Sequence, residues 1–264
     1  MHTLLKASLA FIAMAALYAA AADLPVDEIM NRNFYAAKVK TLTYDATMIL
    51  VNDKGQQRER KISGASRLQP DGIDVDLAIR FNFPADVNGT RFLQLQHADR
   101  DDDMWIYLPA LKRSRRLVAS NKRDSFVGSD FSYADILPPR PALFRNVLQR
   151  SEAMQGFDCY VIESSPQDDN LKHDLGYSRR VSWIRKDNFV ELKVDYYDLG
   201  GQLFRTQSTA DHKMVESEPQ RWLALRRDMQ DLQSGHKTSF TLDKVDTKQP
   251  VAARMFSAES LERD

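Results

Sequence analysis

The sequence predicts a mainly β protein: one large antiparallel sheet behind an N-terminal helix. Two observations carry this. Apolar residues recur with period 2 over most of the chain beyond residue 40, and the gaps between such runs are turns rather than helix-length crossovers. Several runs reach about ten residues, against the usual ~5–6, and a large sheet of long strands curls into a barrel or half-barrel with one concave face.

The elements follow in order. Pro25 at a first helical turn, with Val26, Ile29, Met30 and Ala37 behind it, predicts one amphipathic helix. Leu42, Tyr44, Ala46, Met48 and Leu50 then share a face against Thr43, Asp45 and Thr47, as a half-buried strand requires. Asn52-Asp53-Lys54-Gly55 turns the chain into a polar strand running through Ser63 to Leu68. Alternation returns at residues 73–83 and 92–95. Between Val190 and Asp198, Val190, Leu192, Val194 and Tyr196 oppose Glu191, Lys193 and Asp195. Gly200-Gly201 turns into residues 202–208, and residues 222–231 with 237–245 form a last hairpin around Ser234-Gly235. Pro138-Pro139-Arg140-Pro141 interrupts the strands, with a short helix expected over 142–148 and a closing helical turn over 257–261.

Composition narrows the class. The 264 residues carry 37 Lys+Arg against 37 Asp+Glu, 43% hydrophobic residues and a single cysteine. Disorder, a disulfide scaffold and a basic nucleic-acid binder are thereby excluded. Cys159, between Phe157 and Tyr160, reads as a buried thiol. Met1 and Lys6 start a positive segment, residues 7–22 are uncharged, and Ala20 and Ala22 fit a small-x-small cleavage site. The uncharged stretch falls short of the ~20 residues a bilayer requires. Residues 1–22 are therefore expected to be a cleaved export signal and 23–264 a single soluble domain.

The chemistry-bearing segment is Asp103–Asp135. It opens as a strand, Asp103-Met104-Trp105-Ile106-Tyr107-Leu108, stops at Pro109, and presents Lys112, Arg113, Arg115 and Arg116, with Lys122 and Arg123 beyond. Aromatic and acidic residues follow among small ones: Asp124, Phe126, Gly128, Ser129, Asp130, Phe131, Tyr133 and Asp135. One reading is a solvated face whose acids pair with its arginines. The other is a rim presenting guanidinium groups to anionic head groups or to an acidic partner.

The pattern Asp103-Met104-Trp105-Ile106-Tyr107-Leu108-Pro109, Arg115-Arg116, Asp124-Ser125-Phe126-x-Gly128-Ser129-Asp130-Phe131-x-Tyr133-x-Asp135 resembles the signature of the LolA-like, outer-membrane lipoprotein-sorting family of Gram-negative bacteria. The resemblance implies a periplasmic protein with an open half-barrel of the LolA/LolB type, short lid helices and a hydrophobic cavity. It further implies a lipidated protein or lipid as cargo, a membrane-bound transporter or acceptor as partner, and no cofactor. A non-enzymatic accessory subunit of a resistance-nodulation-division-type transporter is the alternative. A monomer is expected.

The candidate cavity lining is Leu42, Tyr44, Met48, Leu50, Leu192, Val194 and Tyr196, although the same stripes suit a filled core. Sheltering an acyl chain from water is worth ~0.8 kcal/mol per methylene. Enzyme and metal signatures are weak. Gly128-Ser129-Asp130 lacks the second glycine of a nucleophile elbow, the histidines are scattered, and the run Asp99, Asp101, Asp103 meets Met104 where a calcium loop needs glycine. No catalytic residue and no metal site are expected.

Overall fold

A computed structural model describes residues 24–263; the export signal expected over 1–22 lies outside the described residues. Helix α1 spans Val26–Ala36 and buries Ile29, Met30, Phe34 and Ala36. Strands β1 (Thr41–Val51), β2 (Gln57–Leu68), β3 (Val75–Phe83), β4 (Arg91–Leu95), β5 (Asp103–Leu108) and β6 (Arg113–Leu117) follow. After a segment of short 3-10 turns come β7 (Phe144–Met154), β8 (Phe157–Pro166), helix α2 (Asp169–Leu175), β9 (Arg179–Arg185), β10 (Glu191–Tyr197), β11 (Leu203–Ser217), β12 (Gln220–Asp231) and β13 (Lys237–Asp246).

These strands form one 13-stranded antiparallel sheet, ordered β6-β5-β4-β3-β2-β1-β13-β12-β11-β10-β9-β8-β7. The chain starts in the middle, walks outward to β6, jumps to the opposite edge and walks back until β13 pairs with β1. The sheet is curved and open, not closed into a barrel. Curvature is visible in the packing: Ile79, Phe81, Phe92 and Met104 from β3–β5 share one buried cluster with Tyr196 and Met229 from β10 and β12. Strands this far apart in sheet order meet only if the sheet wraps, as the right-handed twist of a large sheet favours.

The two edge strands, β6 and β7, are consecutive in sequence. The segment joining them, residues 118–143, carries Phe126, Phe131 and Tyr133 into the buried cluster on the inner face. Opposite it, α1 covers Tyr160, Ile162 and Ile184 of β8 and β9. The outer face has its own covers. The C-terminal turns place Phe256 and Leu261 on Ala65 and Leu93, with Trp105 and Tyr107 alongside.

Two expectations change. Residues 144–148 are not helical; they begin β7, which pairs with β8 from Phe144↔Pro166 to Met154↔Phe157. A short helical pattern there loses to strand pairing along a free sheet edge, because tertiary hydrogen bonds override weak local propensity. Residues 203–217 form a strand much longer than 202–208, because β12 pairs with it as far as Ser217↔Gln220. Helix α2 has clear local causes: the Asp168 side chain accepts from Leu171 N–H at 2.8 Å, and Gly176 ends it at φ +74°.

Candidate functional site: an apolar cavity under a pinned loop

A cavity of about 300 Å³ lies between the inner sheet face, α1 and the edge-linking segment. That matches the lower end of the ~300–1,000 Å³ typical of small-molecule sites. Leu42, Tyr44 and Met48 of β1, Leu77 and Ile79 of β3, and Leu137 of the linking segment contribute to its lining.

Of the residues the sequence proposes, Leu42, Tyr44, Met48 and Tyr196 line this cavity. Leu50 and Val194 pack in the adjoining core without lining it. Leu192 is a correction. It belongs to a separate cluster with Cys159, Val161, Val181 and Trp183. The register of β10 against β9 slips between Glu191 and Lys193, so Glu191 lines the cavity and Leu192 faces away. A bulge adds one residue and inverts the alternation, which composition does not reveal.

The motif segment is the second correction. Its aromatic half is no docking rim: Phe126, Ser129, Phe131, Tyr133 and Asp135 are buried. Phe126 sits edge-on to Phe92 and Tyr133, with centroids 5.4 and 5.5 Å apart. Gly128 takes φ +75°, a conformation that glycine tolerates at little cost. The loop is locked to the sheet by polar groups from distant strands. Arg205 of β11 pairs with Asp135 at 2.9 Å and donates to the Asp130 carbonyl at 3.1 Å. Arg227 of β12 donates to the Asp135 carbonyl at 2.7 Å. Thr238 of β13 donates to the Asp130 carboxylate at 2.6 Å, and Arg60 of β2 donates to the Val127 carbonyl.

Ionisation follows from these contacts. Burial opposes a charge on Asp135, but Arg205 and the Ser132 donors outweigh it and hold the carboxyl below its usual range. Burial pushes the Asp130 carboxyl upward, against the Thr238 hydrogen bond. The buried phenols of Tyr44, Tyr177 and Tyr196 are also pushed above the usual range.

The basic half stays outside. Lys112, Arg113, Arg115 and Arg116 are exposed, and none lines the cavity. Arg116 pairs with Asp103 and lies over Trp105 at 5.9 Å. Donation from Arg100, joined by Arg116 and His97, holds the Asp103 carboxyl well below its usual range, although burial opposes this. Lys112, Arg113 and Arg115 have no carboxylate partner among the described residues. Trp105 and Tyr107 point to the outer face, Pro109 closes against Gly89, and exposed Asp124 accepts from Asn121 at 2.7 Å. The Ser129 hydroxyl is buried and donates to the Phe131 carbonyl at 3.3 Å. Among the described residues, no three His, Cys, Asp or Glu side chains converge as a metal site.

Sequence reasoning missed Lys38, a buried cation in the cavity wall. Its Lys-Val-Lys context after a helix carries no signal beyond ordinary surface charge.

The fold has known counterparts. A family model described only as uncharacterized protein matches residues 74–263, while no curated protein matches the chain. The crystal structure of an outer membrane lipoprotein-sorting protein domain from Vibrio parahaemolyticus superposes with TM-score 0.82 at 29% identity, covering 90% of this chain and 98% of that one. A DUF1329 family protein from Desulfovibrio piger gives 0.81 at 28% identity, covering 89% and 97%. A LolA superfamily protein from Nitrosomonas europaea, at 16% identity and TM-score 0.69, covers 90% of this chain and all of its own length, and shows the shared fold. With the family match running from the start of β3 into the C-terminal turns, and the same curved sheet in these structures, the chain belongs to the LolA-like family.

Proposed function

We propose that this protein is a periplasmic, non-enzymatic carrier: residues 23–264 act as one domain that shelters a lipid or the lipid of a lipidated protein and passes it to a membrane-bound partner. The observation that carries this is the apolar cavity between β1, β3, β10, α1 and the pinned loop. Removing a lipid from a membrane exposes its chain to water, at ~0.8 kcal/mol per methylene, unless a protein surface replaces the bilayer. Among the described residues no helix is long and apolar enough to cross a membrane.

Native mass spectrometry of detergent-free periplasmic protein, followed by lipid extraction, tests the reading. A bound acyl species is expected at fixed stoichiometry; an apo mass together with no uptake of acylated peptide or phospholipid overturns it. Met48→Glu, in the cavity wall, should abolish uptake. Leu192→Glu, behind the sheet, should leave uptake intact in whatever fraction folds.

One observation favours the transporter-subunit reading: Phe126, Phe131 and Tyr133 already fill much of the inner face. Under that reading the exposed cations of β6 dock a partner and the cavity stays empty. Failure of uptake with retained binding to a membrane partner would select it.

A further inference from the structure

Five charged residues are among those lining the cavity: Lys38, Asp135, Arg180, Glu191 and Arg227. Four of them are already engaged. Glu191 pairs with Arg180 at 2.9 Å, and Asp135 pairs with Arg205. Arg227 is spent on the Asp135 carbonyl and on Gln207 Oε1 at 3.1 Å, with Phe131 beneath its guanidinium at 5.2 Å.

Lys38 is the exception. It is 1% exposed, and its Nζ donates to the uncharged Gln96 Oε1 at 3.1 Å. The ring of Phe34 lies 4.1 Å from the ammonium. No carboxylate of the described residues stands within ion-pair distance of it. Asp74, which attracts it from further off, is held by Arg140. Burial is the main cause that lowers the Lys38 pKa to about 8, with Arg140 adding to it and Asp74, Asp102 and Asp71 opposing. Lysines are almost never this deeply buried without a counter-ion. Gln96 does not supply one, and its Oε1 is also fixed by Val75 N–H at 3.2 Å.

We propose that the cavity takes an acyl ligand with an anionic head group, a carboxylate or a phosphate, and that the Lys38 ammonium is its counter-ion. Leu42, Met48, Leu77 and Leu137 hold the chain, and Phe34 shields the ion pair from water. A charge-assisted contact away from solvent is the strongest kind of polar anchor, and a neutral head would leave the ammonium as uncompensated as it is without ligand. This assignment rests on the carrier reading and goes beyond it, because apolar burial alone does not discriminate between head groups.

Titration calorimetry with three C12 probes tests it at pH 7: laurate, dodecyl phosphate and dodecanol. The expected result is at least ~10-fold tighter binding of one or both anions than of dodecanol. The preference should vanish in Lys38→Met and Lys38→Gln and survive in the exposed control Lys40→Met. Preference for laurate alone names a fatty-acid head, and preference for dodecyl phosphate alone names a phospholipid-type head. Equal binding of all three by the native protein overturns the assignment while leaving the carrier reading standing. An anion preference that persists in folded Lys38→Met overturns it too. If none of the three binds, the carrier reading fails and takes the assignment with it. Even if both Lys38 variants fail to fold, equal binding of the three probes by the native protein overturns the assignment.

Discussion

The two halves of the Asp103–Asp135 segment are near neighbours in sequence and opposites in structure. The first presents Lys112, Arg113 and Arg115 to solvent along the free edge strand β6. The second buries its aromatic rings, and the salt-bridge partner of its buried carboxylate is Arg205, seventy residues away in sequence. Adjacent opposite charges invite local pairing, and Asp103 with Arg116 obliges. Asp135 does not, because in a sheet that starts at its centre and returns from its far edge the basic side chains that reach it come from β11 and β12. The difference teaches that a basic run beside an acidic one does not make one charged surface. Here one half stays wet, where edge cations also discourage strand-to-strand association, and the other serves as an internal clamp.

Breaking the clamp should have the largest effect. Arg205→Met leaves Asp135 buried without its counter-ion and is expected to cost about 3–5 kcal/mol in urea unfolding. Adding Asp135→Asn should recover part of that loss; no recovery would mean that Arg205 acts mainly through the Asp130 carbonyl. The same pair sharpens the comparison through pH. Asp135 is held below its unfolded value, so its contribution is complete above an unfolded carboxylate pKa of ~3.9 and is lost as pH falls through the folded pKa. Acid destabilisation should therefore be shallower in Asp135→Asn than in the native protein.

Lys38 carries the opposite sign. Its folded pKa of about 8 lies below the usual 10.5, so the unfolded chain binds more protons between those values and stability rises with pH across that window. Below pH 8 the penalty is fully present. Lys38→Met should then be more stable than the native protein at pH 7, by on the order of 1–3 kcal/mol. Thermal unfolding at pH 7 and pH 10 checks both the gain and its decline as pH rises through that window. A residue that costs stability where it stands is a natural candidate for function.

The smallest effect belongs to the wet half. Replacing Lys112, Arg113 and Arg115 together with serine should change stability by less than ~0.5 kcal/mol per site. Binding to an acidic partner or anionic vesicles should weaken, most visibly at low salt. A large stability loss would show that these cations are not the free surface that separates the two halves.

Much of the architecture was legible in advance. Helix α1, β1 and the hairpins closing on β13 follow from alternation and from turn residues such as Asn52–Gly55, Gly200-Gly201 and Ser234-Gly235, because side-chain period and turn chemistry are local properties. Strand β7 was not legible. Its exposed residues on an edge give no alternating signal, and only pairing with β8 makes it a strand. In the site, Leu42, Tyr44, Met48 and Tyr196 could be placed on the correct face because the register slips beside them put the extra residue on the partner strand, Asp243 of β13 and Phe204 of β11.

The sequence by itself determined the class of fold, the central strands and the apolar stripes, since each depends on contacts within a few residues. Tertiary structure alone decided which face Leu192 takes, where the aromatic motif goes, and that no carboxylate of the described residues stands within ion-pair distance of Lys38. The physical reason is common to all three. A register slip, a loop folded into a curved sheet and a missing counter-ion are relations between strands that meet only when the sheet wraps, and no window along the chain contains both partners.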